Sequence, residues 1–193
     1  MTDDFEDEGY LTGHLLVAMP GMTDPRFVRT VVYICAHNAE GAMGLVINRL
    51  IGSITFPDLL EQLGIESAGL GRDIEVHFGG PVESGRGFVL HSSDYEQDGT
   101  LKVSDLMSLT ATIDILRDMA VGLGPRQSLM ALGYAGWGPG QLDGEMRRGD
   151  WRVVPATGAI VFGEASPRHW RNFIPLEGSR WSRLAILTRR VGA

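Results

Sequence analysis

Two glycine-rich passages hold the residues of this chain best suited to chemistry. The first, HFGGPVESGRGFVLH at 77–91, sets Gly79, Gly80 and Pro81 shortly before Arg86 and Gly87. Backbone N–H groups freed by such a turn, beside a guanidinium, can hold a phosphate or a carboxylate. The second, ALGYAGWGPGQLDGEMRRGDW at 131–151, places Gly136, Trp137, Gly138, Pro139 and Gly140 ahead of Gln141 and a polar helical run. The first N–H groups of a helix lack internal partners and attract anions, and Gly138 leaves room for one to approach. If the passages converge, the candidate ligand pocket is Gly79, Gly80, Arg86, Gly136, Trp137 and Gln141. The architectural alternative is a tight turn with Arg86 paired to a carboxylate, and a junction anchored by Trp137 whose glycines permit close packing. Neither GxxxxGK[ST] nor GxGxxG is present, so no known phosphate loop decides between them.

Other reactive side chains form weaker patterns. The five histidines, His14, His37, His77, His91 and His169, include no HExxH and no pair four apart, and no cysteine cluster accompanies them. Their spacing supports no metal site, and no cofactor is implied. Cys35 and His37 lie two apart on one strand, which points both to the same side and makes a thiolate–imidazole pair conceivable. A lone cysteine more commonly packs as a small hydrophobe. His91, Ser92, Ser93 and Asp94 contain the letters of a hydrolase triad, but neighbouring residues cannot deliver triad geometry and no GxSxG elbow exists. The absence of a catalytic constellation argues for a non-enzymatic binding protein rather than an enzyme.

The elements that must position these residues are legible in outline. GHLLVAM (13–19), TVVYICAH (30–37) and AMGLVIN (42–48) read as strands, the last two joined by a NAEG hairpin. TFPDLLEQLG reads as a short helix with Thr55 or Phe56 before Pro57 and Gly64 at its end. Strands follow at IEVHF (74–78) and GFVLH (87–91), then a polar loop over 92–100 with LKV pairing beyond it. The spacing of Ile113, Leu116, Ala120 and Leu123 predicts a helix over 110–124, capped by Thr110 or Thr112. SLMALGY (128–134) is a central strand, and Pro139 opens a helix whose acids lie early and arginines late. WRVVPA and GAIVFG supply two further strands, and SPRHWRNF a last helix capped by Ser166. Strands in runs with interspersed helices, without βαβ alternation, give an α+β fold with a mixed, largely antiparallel sheet.

Composition bounds the rest. A chain of 193 residues, 44% hydrophobic and 21% charged, can bury one core without staples. We expect an acidic disordered tail over 1–9 and a single domain over 10–193. The longest apolar runs, LLVAM and VVYICA, are far short of a membrane span. The acidic start resembles no signal peptide, and the one cysteine suits a reducing compartment, so a cytoplasmic location is expected. Asp3, Asp4, Glu6, Asp7 and Glu8 make the start acidic, whereas six arginines follow residue 163. With a net charge of −7 and basic residues concentrated in the tail, the chain offers no basic stripe for a duplex, which argues against direct DNA binding.

Three motifs in order, GHLLVAMPGMTDPRFVRTVVYICAHNAEGAMGLVINR, GGPVESGRGFVLH and ALGYAGWGPGQLDGEM, resemble the YqgE/AlgH family of bacterial proteins over roughly residues 11–170. The resemblance implies a single complex α+β domain whose branched sheet closes partly into a small barrel flanked by helices. It implies a cytoplasmic protein of a kind often labelled a transcriptional regulator, from an association with the control of alginate production, and carries over no catalytic residues. The partner it suggests is another protein or a small anionic ligand; oligomeric state is not written in the sequence. Two departures stand out. Leu50 follows Asn48 and Arg49 where the family usually has proline, and the tail is richer in arginine and lacks the usual closing histidine.

Overall fold

The computed structural model describes residues 10–67, 69–71, 73–163 and 167–174. Strands β1 (His14–Ala18), β2 (Val31–Asn38) and β3 (Gly41–Val46) form an antiparallel meander. Their β-branched residues are buried on both faces. Leu15, Val17, Val31, Tyr33, Cys35 and Leu45 enter an inner cluster, while Leu16, Ala18, Val32, Ile34 and Val46 enter an outer one. The remaining strands are β4 (Val76–Phe78), β5 (Val82–Ser92), β6 (Leu101–Lys102), β7 (Met107–Thr110), β8 (Ser128–Trp137) and β9 (Trp151–Pro155). The sheet runs β6-β7-β5-β8-β3-β2-β1-β9, with β4 parallel to β8 as a branch. Strands from both ends of this order contribute to the inner cluster, so the sheet curls around it into a half-barrel.

Helices close the outside. Helix α1 (Phe56–Gln62) begins at a capping box in which Thr55 accepts from the Asp58 N–H and Asp58 accepts from the Thr55 N–H. With α2 (Ile113–Ala120) it buries Phe56, Leu60, Ile115, Leu116 and Met119 against Val76, Val89, Met130 and Leu132 of the sheet. Helix α3 (Gln141–Arg148) inserts Leu142 beside Phe27, Trp137 and Trp151. The short α4 (Gly158–Val161) and α5 (Pro167–Phe173) cover the inner cluster, and the Trp170 indole donates to the Ala18 carbonyl at 2.6 Å.

Several elements differ from the sequence reading for identifiable reasons. GAIVFG is not a strand: the Thr157 hydroxyl accepts from the Ile160 N–H and starts α4, and an apolar run this short carries no decisive period. The helix expected over 110–124 begins at Ile113, because Met107–Thr110 pairs with β5 and Thr110 is committed to that strand. Its buried face is Ile115, Leu116, Met119 and Ala120, leaving Ile113 and Leu123 exposed. Both β5 and β8 extend further than expected, so Arg86, Gly136 and Trp137 lie on strands rather than in turns. Helix α3 starts at Gln141 behind an N-cap at Gly140, later than Pro139. The acidic start and the expected Ser166 cap lie outside the described residues.

The branch explains the glycines. Strand β4 lies along one edge of β8 (Val76 with Met130, Phe78 with Leu132), and β5 lies along the other (Gly87 with Leu132, Val82 with Tyr134). Gly79, Gly80 and Pro81 therefore carry the chain across β8. At the crossing a Cβ on Gly79 would sit 2.3 Å from the Gly133 oxygen, one on Gly80 2.1 Å from the Tyr134 carbonyl carbon, and one on Gly133 2.3 Å from the Gly80 oxygen. The two glycine passages meet here, backbone against backbone.

Candidate functional site

Beside this crossing lies an open cavity of about 710 Å³, lined by the β2–β3 hairpin, by the end of β8 that pairs with β3, and by residues of β5, β6 and β7. Its floor continues the inner cluster: Phe88 and Leu109 belong to that cluster, and Met43, Ala111 and Tyr134 pack against it. These residues follow from strand alternation on β3, β5 and β8, but composition offers nothing that singles them out in advance. Phe88 and Tyr134 meet edge to face at 5.7 Å. Charge enters at Arg86 and Glu40.

Of the six residues expected in a pocket, Arg86, Gly136 and Trp137 line this cavity. Arg86 lies in an irregular part of β5. Val82 pairs with Tyr134 and Gly87 with Leu132, so residues 83–86 bulge out opposite the single residue Gly133. Glu83 holds the bulge at φ +47°, a conformation unfavourable for a side-chain-bearing residue. The Arg86 guanidinium stands 5.1 Å over the Phe88 ring and 3.5 Å from the Glu83 carboxylate, with both charged side chains more than half exposed. Such a pair is weak and releasable. Gly136 is exposed, with the Tyr134 ring and Val82 side chain beside it. The Trp137 ring packs with Phe27 and Trp151 in the outer cluster and so anchors the wall it contributes to.

The other three lie elsewhere. Gly79 and Gly80 form the buried crossing. Gln141 folds back so that its Oε1 accepts from the Gly138 N–H at 3.0 Å. This contact occupies a donor at the head of α3 that an anion would need.

His37, His77 and His91 have structural partners. His37 does not join Cys35, because a bulge between Ile34 and Ala36 turns the two apart. Cys35 packs in the inner cluster, whereas His37 accepts from the Leu11 N–H at Nδ1 and points Nε2 towards Asp143 of α3 at 3.5 Å. Burial pushes the Cys35 thiol up to about 12. A thiol reagent at mildly alkaline pH should therefore label the denatured chain and leave the folded protein untouched; fast labelling of the folded protein would refute this. His91 is fully buried, with Nδ1 on the Ser92 carbonyl at 2.8 Å and Nε2 on the Thr110 hydroxyl at 2.7 Å. It activates no serine. The Ser92 hydroxyl instead donates to Asp94 and accepts from the Gln127 N–H. His77 places Nδ1 at 3.1 Å from the Met130 carbonyl, which requires that nitrogen to carry the proton.

Burial lowers the affinity of both His77 and His91 for a proton. The folded state thus binds the proton less readily than the unfolded chain, whose imidazoles titrate near 6.5. Stability contributed by the neutral rings is fully present above that value and is lost as pH falls through and below it. The urea midpoint should drop between about pH 7 and about pH 5, before carboxylates titrate; a level or rising midpoint would contradict the assignment.

No described helix is long and apolar enough to cross a membrane, and no group of three or more His, Cys, Asp or Glu side chains among the described residues could hold a metal ion.

Comparison with known proteins agrees with this architecture. A UPF0301 protein of Rhodospirillum rubrum is 63% identical over 158 residues, covering 82% of each chain. One of Cereibacter sphaeroides is 54% identical over 165 residues, covering 85% of this chain and 90% of its own. The solution structure of the AlgH protein from Pseudomonas aeruginosa superposes with a TM-score of 0.72 at 38% identity, covering 100% of this chain and 94% of that one. A crystal structure of a Corynebacterium diphtheriae protein shares the fold, with a TM-score of 0.64 at 21% identity and 84% coverage of both chains. With the AlgH-like family model matching residues 15–182, the chain belongs to the YqgE/AlgH family.

Proposed function

We propose that this protein is a cytoplasmic, non-enzymatic binding or regulatory protein whose ligand occupies the cavity beside Arg86. The observation that carries this reading is the wall chemistry: apolar side chains from β3, β5, β7 and β8, with one guanidinium and one carboxylate at the edge. Neither a nucleophile joined to a base nor a pair of carboxylates faces the space among the described residues, so the site is equipped to hold a molecule rather than to transform it. Concave apolar sites with few polar groups are where small ligands bind. An effect on transcription would run through a partner protein, because the chain carries a net charge of −7 and six of its arginines cluster beyond residue 163.

The test is a thermal-shift screen of the purified chain against nucleotides, phosphorylated metabolites, carboxylates and metal ions, with Arg86→Ala in parallel. A ligand at 100 times its Kd adds about 2.7 kcal/mol of stability, which such a screen resolves. Stabilisation that the variant loses, with the ligand recovered unchanged by mass spectrometry, supports the binding role. Conversion of the ligand would instead establish an enzyme or an enzyme-like sensor acting on a small anion near Arg86 and Trp137. Silence across the panel would remove the cavity from the argument and leave protein partners.

A further inference from the structure

We infer that the cavity selects an amphipathic anion, a single carboxylate or phosphate head on an apolar tail. This rests on the cavity reading above and names the ligand class. The floor is the edge of the inner cluster, where the half-buried Met43 and Tyr134 lie over buried Phe88 and Leu109, and the exposed Val82 and Leu101 add apolar surface at the rim. A hydrocarbon or aromatic tail laid there continues the core and removes that surface from water. The head has one place to go. Arg86 is the sole Lys or Arg among the lining residues, and its plane is steadied over the Phe88 ring. Its carboxylate partner Glu83 is 3.5 Å away and solvent-exposed, so a ligand anion can replace it.

The charge balance narrows the class. Glu40 also borders the cavity, and with Arg86 the one cation among the described lining residues, a polyanion such as a nucleoside triphosphate meets repulsion that a monoanion avoids. Residues 85–87 also border a second groove of about 280 Å³ lined by Leu63, Ile113, Leu116 and Leu132.

The experiment is calorimetric titration of the full chain with straight-chain carboxylates of increasing length, kept below their micelle concentrations. Alkyl phosphates, alcohols and ammonium ions of matched length are compared, with inorganic phosphate and ATP alongside. Affinity should rise about fourfold per added methylene. The carboxylate or phosphate should exceed the matched alcohol at least tenfold and the ammonium ion by more, and the difference between the two anions identifies the head group. Arg86→Gln should abolish the preference for anion over alcohol and retain the dependence on tail length. Gly136→Leu, whose side chain would enter the space beside Tyr134 and Val82, should weaken every tail, with its melting temperature reported to show that it folds. Equal binding of alcohol and carboxylate, or binding of phosphate and ATP without dependence on tail length, would overturn the ligand class and leave a ligand-binding cavity standing. No binding by any member of the series would overturn the ligand class, and stabilisation by another compound of the panel, lost in Gly136→Leu, would then preserve the cavity reading.

Discussion

Gly133→Ala is expected to lower the stability of this protein by about 3–5 kcal/mol, a large part of what a domain of this size possesses. Two effects add. Gly133 has φ +75°, where an L side chain is strained by roughly 1–2 kcal/mol. The new Cβ would also lie 2.3 Å from the Gly80 carbonyl oxygen and 3.1 Å from the Ser84 Cα, both backbone atoms that cannot rotate away. Relieving the clash means separating β8 from the crossing segment, the junction on which β4, β5 and the cavity wall all depend. Gly80→Ala should behave similarly, since Gly80 has φ +155° and its Cβ would lie 2.1 Å from the Tyr134 carbonyl carbon. At about 2–4 °C per kcal/mol for a chain of this length, thermal melts should fall by roughly 6–20 °C. Gly136→Ala is the control. It sits on the same strand outside the positive-φ region, and its Cβ would meet only side-chain atoms at 3.5 and 3.8 Å. Equal losses for Gly133→Ala and Gly136→Ala would show that the crossing is not what requires glycine.

The glycine passages illustrate what could be read without coordinates. Clustered glycines announce that something approaches the main chain closely, and at Gly79, Gly80 and Gly133 something does. What approaches is the other passage. The identity of the approaching partner depends on a strand crossing between two edges of β8, which no local pattern encodes. Strands β1, β2 and β3 were legible because runs such as TVVYICAH leave little choice of conformation, and their hairpin needed only four residues. Strand β7 was not, since MSLT is four residues long and abuts a helical pattern; its role emerges only from pairing with β5 and from the Thr110 hydroxyl that satisfies buried His91. GAIVFG failed for a related reason: apolar runs of this length fit a strand or one helical turn, and the Thr157 cap decided. At the site, Arg86 stood out by charge, but the apolar floor was invisible because Met43, Phe88, Leu109 and Tyr134 look like any other core residues until the sheet curls and leaves one end open.

Asn48→Leu is the second substitution with a large expected effect, about 2–4 kcal/mol. Asn48 is buried, and its two amide atoms do different work: Oδ1 accepts from the Val31 N–H at 2.9 Å and Nδ2 donates to the Arg29 carbonyl at 2.9 Å. It thereby fixes the end of the loop before β2, where Arg29 is held at φ +58° and Arg49 donates to the carbonyls of Arg26 and Val28. Leucine keeps the bulk and removes both partners, leaving the Val31 N–H and the Arg29 carbonyl unpaired. Asn48→Asp separates the two contacts. An ionised carboxylate still accepts from Val31 but opposes the Arg29 carbonyl, so the variant should be weak at neutral pH. Repulsion and burial raise the folded-state pKa of the new group above its unfolded value near 3.9. Protonation restores a donor towards Arg29, so relative to wild type the variant should gain stability as pH falls through its folded pKa, with the gain complete below 3.9. Urea melts of both chains across that range measure the difference. A wild-type-minus-variant gap that stays constant or widens towards acid pH would show that the Nδ2 donor does not hold the loop.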